Sequence, residues 1–111
     1  MILCVPVAAT GNVDPRWGCA GRVAVAEVVA GTVRSWDEFD VGWDRLHNDA
    51  TEGGHHARVA RFVQEHRASI VVAGHMGDPM LEMFRRLDIR VQLGVSGDAR
   101  QAVLAAAARI S

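Results

Sequence analysis

The sequence predicts an α/β domain in which a mixed five-stranded sheet lies between helices, and three observations support this class. Apolar runs without alternation, at residues 2–7 and 70–73, are typical of strands that are covered on both faces. Two strand-like runs joined by a tight turn at 30–32 indicate a hairpin. Amphipathic segments then alternate with the remaining strands, so the order βββαβαβα predicts a hairpin followed by right-handed crossovers.

Each strand is bounded by turn-forming residues. The third run alternates apolar and polar residues and therefore predicts a half-exposed strand, whereas the first and fourth predict buried ones. The five predicted strands cover residues 2–7, 23–29, 33–41, 70–73 and 90–94.

Helices are predicted where apolar residues recur at helical spacing. Asp78 before Pro79 is the expected N-cap of the second helix, and Asp98 with Gln101 resembles a capping box that opens the third. The predicted helices cover residues 55–67, 79–87 and 98–110. Long polar loops at 8–21 and 42–54 are where function is expected.

Composition narrows the functional classes. The 111 residues are enough for a single domain, 1–111, and a formal net charge of -1 gives no reason to expect nucleic acid or a membrane as a partner. All 12 basic residues are arginine, which suits anion binding, although a GC-rich codon bias is the simpler explanation. Two cysteines form no disulfide framework, and the apolar start is too short for a signal or a membrane span, so we expect a cytoplasmic protein.

The topology predicts which loops meet. Ligands of α/β sheets collect beyond the carboxyl ends of the parallel strands. Arg16 and Cys19 follow the first strand, His55 and His56 open the first helix, and His75 ends the fourth strand. We therefore expect these residues at one edge of the sheet, beside the free amides of the second helix.

Cys19 and His75 are the first candidates for metal ligands. Arg16 and Arg22 near Cys19 would favour the thiolate that binds soft metals, but Cys19 also fits an ordinary loop position. His75 lies between two glycines, where its imidazole is suited either to bind a metal or to hydrogen-bond the loop backbone.

Adjacent histidines cannot easily chelate one ion from a helix, because their side chains point about 100° apart. His55 is in phase with Val59 and Phe62 and is expected to face inward, while His56 lies at the margin of that stripe and also fits a polar first turn. A helix N-terminus favours the neutral, metal-binding form of either imidazole. Met76 adds a thioether that suits copper(I).

Enzymatic functions are not expected. The first strand contains no carboxylate that could help to hold a pair of metal ions, so a two-metal nuclease is not expected. The chain also has no glycine-rich phosphate loop, no nucleophile elbow and no Cys-x-x-Cys pair.

Four segments carry a resemblance to a known family. They are Trp17-Gly18-Cys19-Ala20, Gly53-Gly54-His55-His56, Ala73-Gly74-His75-Met76-Gly77 and Val91-Gln92-Leu93-Gly94-Val95. Together they resemble the dinitrogenase iron-molybdenum cofactor biosynthesis family, which includes carriers of nitrogenase cofactor precursors and an orange protein that holds a molybdenum-copper sulfide cluster. The resemblance implies a ribonuclease H-like, three-layer α/β/α fold with strand order 3-2-1-4-5 and an antiparallel second strand.

Many members of the family that this chain resembles have a histidine where it has Arg16 and an asparagine where it has His75. From the residues of this chain we expect metal contacts at Cys19, His55, His56 and His75. We expect contacts to the rest of the cofactor at Arg16, Trp17, Gly18, Arg22, Gly74, Met76 and Gly77.

We therefore expect a non-catalytic protein that binds, carries or stores a metal ion or a metal-sulfide cluster containing Fe, Mo or Cu. Its expected partner is a protein that donates or accepts the cluster, and the chain itself is expected to be a monomer or a weak homo-oligomer. Two alternatives remain open at this point: a regulatory or interaction domain that keeps the fold without a cluster, and a hydrolase that uses a single metal ion.

Overall fold

The computed structural model describes residues 1–46 and 51–110. Its strands form one five-stranded sheet in the order β3-β2-β1-β4-β5, with β1 antiparallel to β2 and parallel to β4. The strands are β1 Ile2–Pro6, β2 Arg22–Val29, β3 Thr32–Asp40, β4 Ile70–Val72 and β5 Arg90–Gln92. The predicted strand order and the antiparallel second strand are confirmed.

The helices lie on both faces of this sheet. They are α1 Trp43–Leu46, α2 Glu52–Glu65, α3 Asp78–Arg86 and α4 Ala99–Ile110. The α4 helix packs on one face, and α1, α2 and α3 contribute to the core on the other. In the described part of the chain, no helix is both long and apolar enough to cross a membrane.

The central strand β1 is buried from Leu3 to Pro6. Cys4 is paired with Val25 of β2 on one side and with Val71 of β4 on the other. A strand with neighbours on both edges and helices on both faces has no solvent face, which is why its sequence is apolar without alternation. The predicted central position of the first strand is confirmed.

Two apolar cores fill the spaces above and below the sheet. Leu3 and Val5 point into the core under α4, which that helix fills mainly with alanines and Val103. Cys4 points to the opposite side, where large rings dominate. Trp17 lies 5.2 Å from Trp43 and 6.0 Å from Phe84 between ring centroids, both in edge arrangements.

Some predicted boundaries and caps were wrong. The α2 helix begins at Glu52 instead of 55 because Thr51 caps it, accepting a hydrogen bond from Gly54 N at 3.0 Å. The two glycines that follow Glu52 have low helix propensity, so they indicated a loop. Residues 47–50 of the predicted loop 42–54 lie outside the described residues.

The predicted N-cap Asp78 is also wrong, since Gly77 occupies the cap position and Asp78 is already helical. By contrast, Asp98 accepts a hydrogen bond from Gln101 N at 3.0 Å, which confirms its capping role. The strand predicted at 90–94 ends at Gln92, and Gly94 has a φ of +74°, which does not fit an extended strand. The short helix α1 was not predicted, because one turn shows no periodicity.

The loop between β1 and β2 is tied down along its length. Isolated backbone bridges join Val7 to Val13 within the loop, Asn12 to Asp98, and Arg16 to His75. These bridges hold the loop against the segments that follow β4 and β5. The loop therefore has a fixed position over the end of the sheet.

Gly74 is the point of closest approach in this arrangement. A Cβ atom added to Gly74 would lie 3.3 Å from the carbonyl oxygen of Val95 and 3.4 Å from Cα of Pro15. Both of these are backbone atoms, which cannot move aside as the end of a side chain can. A side chain at this position would push the two loops apart.

We predict that Gly74→Ala lowers the free energy of unfolding by about 1–3 kcal/mol, the usual cost of overpacking. Gly53→Ala is the matched control, because its Cβ would meet nothing within 4 Å. Alanine is favoured over glycine in a helix by roughly 0.5–1 kcal/mol, so this control should be neutral or stabilising. Urea denaturation measures both values, and equal effects of the two substitutions would contradict the close approach.

Candidate functional site

An open cleft of about 330 Å³ lies beyond the carboxyl ends of β1 and β4. Three segments form it: the loop after β1, the start of α2, and the turn from β4 into α3. Its lining residues are Pro15, Arg16, Trp17, Gly18, Cys19, His55, His56, His75, Met76, Gly77, Pro79 and Met80. The three loop segments predicted to meet at one edge of the sheet do so.

Two residues predicted for the site do not line the cleft. Arg22 is the first residue of β2, and its guanidinium lies 3.5 Å from the carboxylate of Glu38 on β3. Because side chains alternate along a strand, Arg22 shares the sheet face of Ala24, which packs under α4. Gly74 lies behind the cleft and lets the loops approach each other, as described above.

His55 is held by a hydrogen bond across the cleft wall. Its Nε2 lies 2.7 Å from the carbonyl oxygen of Gly18, and only 4% of the residue is exposed. A carbonyl oxygen can only accept, so we assign the hydrogen of this contact to Nε2. This nitrogen donates to the backbone and is therefore not available to a metal in this arrangement.

His56 and His75 present their rings differently from His55. His56 is half-buried and its ring centroid lies 6.4 Å from that of His55. His75 is exposed at the cleft mouth, and its backbone pairs with Arg16. The two histidines reach the cleft from separate elements.

The two cysteines differ sharply in environment. Cys19 is half-buried in the cleft, whereas Cys4 is fully buried in β1. Burial raises the pKa of the Cys4 thiol to about 12. Cys4 is therefore a protonated core residue at neutral pH, and Cys19 is the thiol that can meet a ligand.

Charge at the cleft comes from Arg16, whose exposed guanidinium is partly balanced by Asp14. The Asp14 carboxylate accepts a hydrogen bond from Arg16 N at 3.0 Å and lies 3.6 Å from Arg16 Nε. Asp14 itself is buried, with 8% of the residue exposed. Asp14 thus holds the backbone of Arg16 in place, and the Arg16 guanidinium lies at the rim of the cleft.

Met80 contributes to the cleft in addition to the core. It lies in α3 and is buried in the core, but it also lines the cleft. Met80 lies in the first turn of α3, next to the turn that lines the cleft, and this position in the sequence could have identified it. Met76 is also buried and lines the cleft.

The donors in the cleft do not form a chelating group. Across residues 1–46 and 51–110, no set of three or more His, Cys, Asp or Glu side chains is placed to hold a metal ion. The cleft instead offers single soft or borderline donors on separate loops, together with one cation. Such a set suits a ligand that already contains most of its own metal ligands.

Comparisons with known proteins agree with this architecture. A crystal structure of a protein named PH0822 has a TM-score of 0.75 and 22% identity, and the match covers 96% of this chain and 88% of that one. The apo form of the orange protein from Desulfovibrio gigas has a TM-score of 0.74 and 22% identity, over 92% of this chain and 82% of that one. At this identity the two structures show the shared fold alone. No curated protein matches the chain.

The sequence itself matches a family model described as dinitrogenase iron-molybdenum cofactor over residues 1–109. The match spans all five strands and the cleft. The chain belongs to the dinitrogenase iron-molybdenum cofactor family.

Proposed function

We propose that this protein binds a preformed, anionic metal-sulfide cluster in the cleft and carries it as cargo, without catalysing a reaction. The observation that supports this best is the donor set of the cleft. Cys19, His56 and His75 are single donors on three segments, and the described residues contain no three-ligand group for a bare ion. A thiometallate cluster carries terminal sulfides as well as bridging ones, so it needs fewer ligands from the protein than a bare ion or an iron–sulfur cluster held by four cysteines.

The chemistry of the lining residues fits such a cargo. Thiolate, imidazole and thioether groups are donors for iron and copper. Met76 and Met80 add thioethers to the lining of the cleft. Arg16 supplies a positive charge at the rim. The family name refers to an iron-molybdenum cofactor, and the orange protein with the same fold is described in an apo form.

The indole N–H of Trp17 also fits a cargo that offers hydrogen-bond acceptors. Its Nε1 is buried and has no hydrogen-bond acceptor among the described residues, although Trp17 lines the cleft. Leaving a buried donor unsatisfied is costly. A cargo rich in sulfide or oxygen atoms would bring acceptors to this wall.

A hydrolase that uses one metal ion is less well supported. Among the described residues, Asp14 is the buried carboxylate, and it is already engaged by the Arg16 amide. A hydrolase of this kind also needs several protein ligands for its ion, and the described residues contain no group of three His, Cys, Asp or Glu placed to hold one. We therefore propose carriage over catalysis.

The second candidate is a regulatory or interaction domain that keeps the fold without a cluster. Arg16 favours this alternative, because the family resemblance described above leads us to expect a histidine at this position and arginine is not a metal ligand. It predicts no uptake of any metal-sulfide species. Cargo uptake by the unaltered protein therefore separates the two candidates.

A carrier must also receive and release its cargo. The cleft is open, and His75 is exposed at its mouth, so a second protein can approach the cargo from that side. We propose a cluster donor or acceptor protein as the partner, reached in the cytoplasm by a monomer or weak homo-oligomer. Neither nucleic acid nor membrane is part of this proposal.

The first test is anaerobic titration with tetrathiomolybdate and copper(I) together, followed by metal analysis and optical spectra. We predict that Cys19→Ala lowers the affinity at least tenfold, on the order of 1.4 kcal/mol, because the cleft loses its thiolate. Cys4→Ala is the matched control and should retain binding, since Cys4 is buried and protonated at neutral pH. Equal losses in both variants would contradict the site, and no uptake by the unaltered protein would favour the regulatory alternative.

The second test addresses His75. We predict that His75→Asn keeps stability within about 1 kcal/mol, as for an exposed loop residue, but lowers cargo affinity at least tenfold. The reason is that asparagine replaces imidazole as a hydrogen-bond partner but is a poor donor to soft or borderline metals. Unchanged affinity in the same titration would show that His75 is only a loop residue.

The third test compares two arginines. Arg16 lines the cleft, while Arg22 is paired with Glu38 away from it. We predict that Arg16→Gln weakens binding of tetrathiomolybdate with copper(I) at least threefold, about 0.7 kcal/mol. The affinity of this variant should also depend less on the salt concentration. Arg22→Gln should leave both unchanged, so similar losses in the two variants would argue against direct charge contact.

A further inference from the structure

We infer that His55 is a positioning residue of the cleft: its hydrogen bond to the Gly18 carbonyl fixes the turn that carries Cys19, and His56 is the histidine of the adjacent pair that contacts the cargo. This inference rests on the proposed function for the part that concerns the cargo. The part that concerns the turn stands on geometry alone. The two parts can be tested separately.

His55 is itself firmly anchored. It lies in the first turn of α2, where its backbone N–H donates to the Thr51 carbonyl oxygen at 2.9 Å. Val59 and Val63 continue the same face of the helix, and both are fully buried. A ring held by a packed helix has a fixed position, so it can impose that position on a loop.

The ring meets the loop at Gly18. Its Nε2 lies 2.7 Å from the Gly18 carbonyl oxygen, a short contact between residues far apart in the sequence. A Cβ atom added to Gly18 would lie 3.6 Å from the same Nε2 and 3.7 Å from Cε of Met80. A Cβ atom at position 18 would thus make only ordinary contacts, and these place the imidazole and the terminal methyl of Met80 beside Gly18.

Cys19 follows directly, between two anchored residues. After Cys19, the Ala20 N–H donates back at 3.3 Å to the carbonyl oxygen of Trp17, whose buried ring packs against Trp43 and Phe84. Before Cys19, the Gly18 carbonyl is held by His55. Loss of that hydrogen bond would release the part of the turn that orients the thiol.

His56 is not placed to hold the turn in the same way. It is one residue further along α2, so its side chain leaves the helix about 100° away from that of His55. It is half-buried and lines the cleft. The pair therefore divides into one ring that donates to the backbone and one ring that faces the cargo.

The sharpest test uses two amides that differ only in reach. In His55→Gln the side-chain N–H₂ can take the place of Nε2 and donate to Gly18, whereas in His55→Asn it lies near the place of Nδ1 and falls short. The first readout is the alkylation rate of Cys19 by iodoacetamide in metal-free protein at neutral pH. Cys4 does not interfere, because it is buried and protonated.

We predict that His55→Asn raises the alkylation rate of Cys19 at least threefold and lowers affinity for tetrathiomolybdate with copper(I) at least fivefold. His55→Gln should stay within twofold of the unaltered protein in both measurements. His56→Gln should leave the alkylation rate unchanged and lower the affinity at least tenfold. Circular dichroism checks folding, and His55→Leu, which restores the buried volume without a donor, replaces the asparagine variant if that variant unfolds.

Two outcomes would overturn the inference. If His55→Asn or His55→Leu leaves the alkylation rate unchanged, the hydrogen bond does not position the turn. If His55→Gln loses affinity as strongly as His55→Asn with a normal alkylation rate, His55 is a ligand. Failure of the unaltered protein to take up cargo would refute the proposed function instead, and the alkylation rates would still decide the role of His55.

Discussion

The arrangement of this molecule depends on β1, a strand buried on both faces and hydrogen-bonded on both edges. Its two neighbours run in opposite directions, β2 antiparallel and β4 parallel. The chain that leaves β1 at Pro6 must therefore turn back over the end of the sheet before it can enter β2. That end is also where β4 gives way to the turn before α3, so the two connections are forced together. The cleft is the consequence of this one change of strand direction.

The long loop at residues 7–21 would be a poor binding element if it were held only at its two ends. Backbone bridges to His75 and Asp98 fix its middle, and the Trp17 ring, inserted between Trp43 and Phe84, fixes the part that lines the cleft. The unpredicted helix α1 has its main role here, since it supplies Trp43. The same packing that completes the core therefore also sets the shape of the cleft.

Much of the fold could be predicted because its signals are local. Unbroken apolar runs identified the buried strands, and helical spacing identified three helices. The errors occurred where tertiary contacts override local preference. Thr51 extends α2 through two glycines, and a single turn such as α1 leaves no pattern to detect.

The composition of the cleft was predictable to the extent that topology decides it. Cys19, His56 and His75 follow from knowing which strand ends coincide. Arg22 does not line the cleft, because closeness in sequence to Cys19 does not determine the sheet face on which a strand residue lies. The inward direction of His55 followed from its phase with Val59. Its hydrogen-bond partner could not be predicted, because it is a carbonyl oxygen on a loop far away in the sequence.

The distribution of the donors bears on how a carrier of this kind would work. A resident metal ion is normally held by three or four ligands on rigid neighbouring positions, and exchange is then slow. Here the described residues offer single donors from the loop after β1, the start of α2 and the turn before α3. On the proposed function, Cys19, His56 and His75 would each contribute only a part of the affinity, and each is exposed or half-buried at an open cleft. On the proposed function, a partner protein can replace these contacts one at a time, so that the sheet below keeps its structure while the cargo leaves.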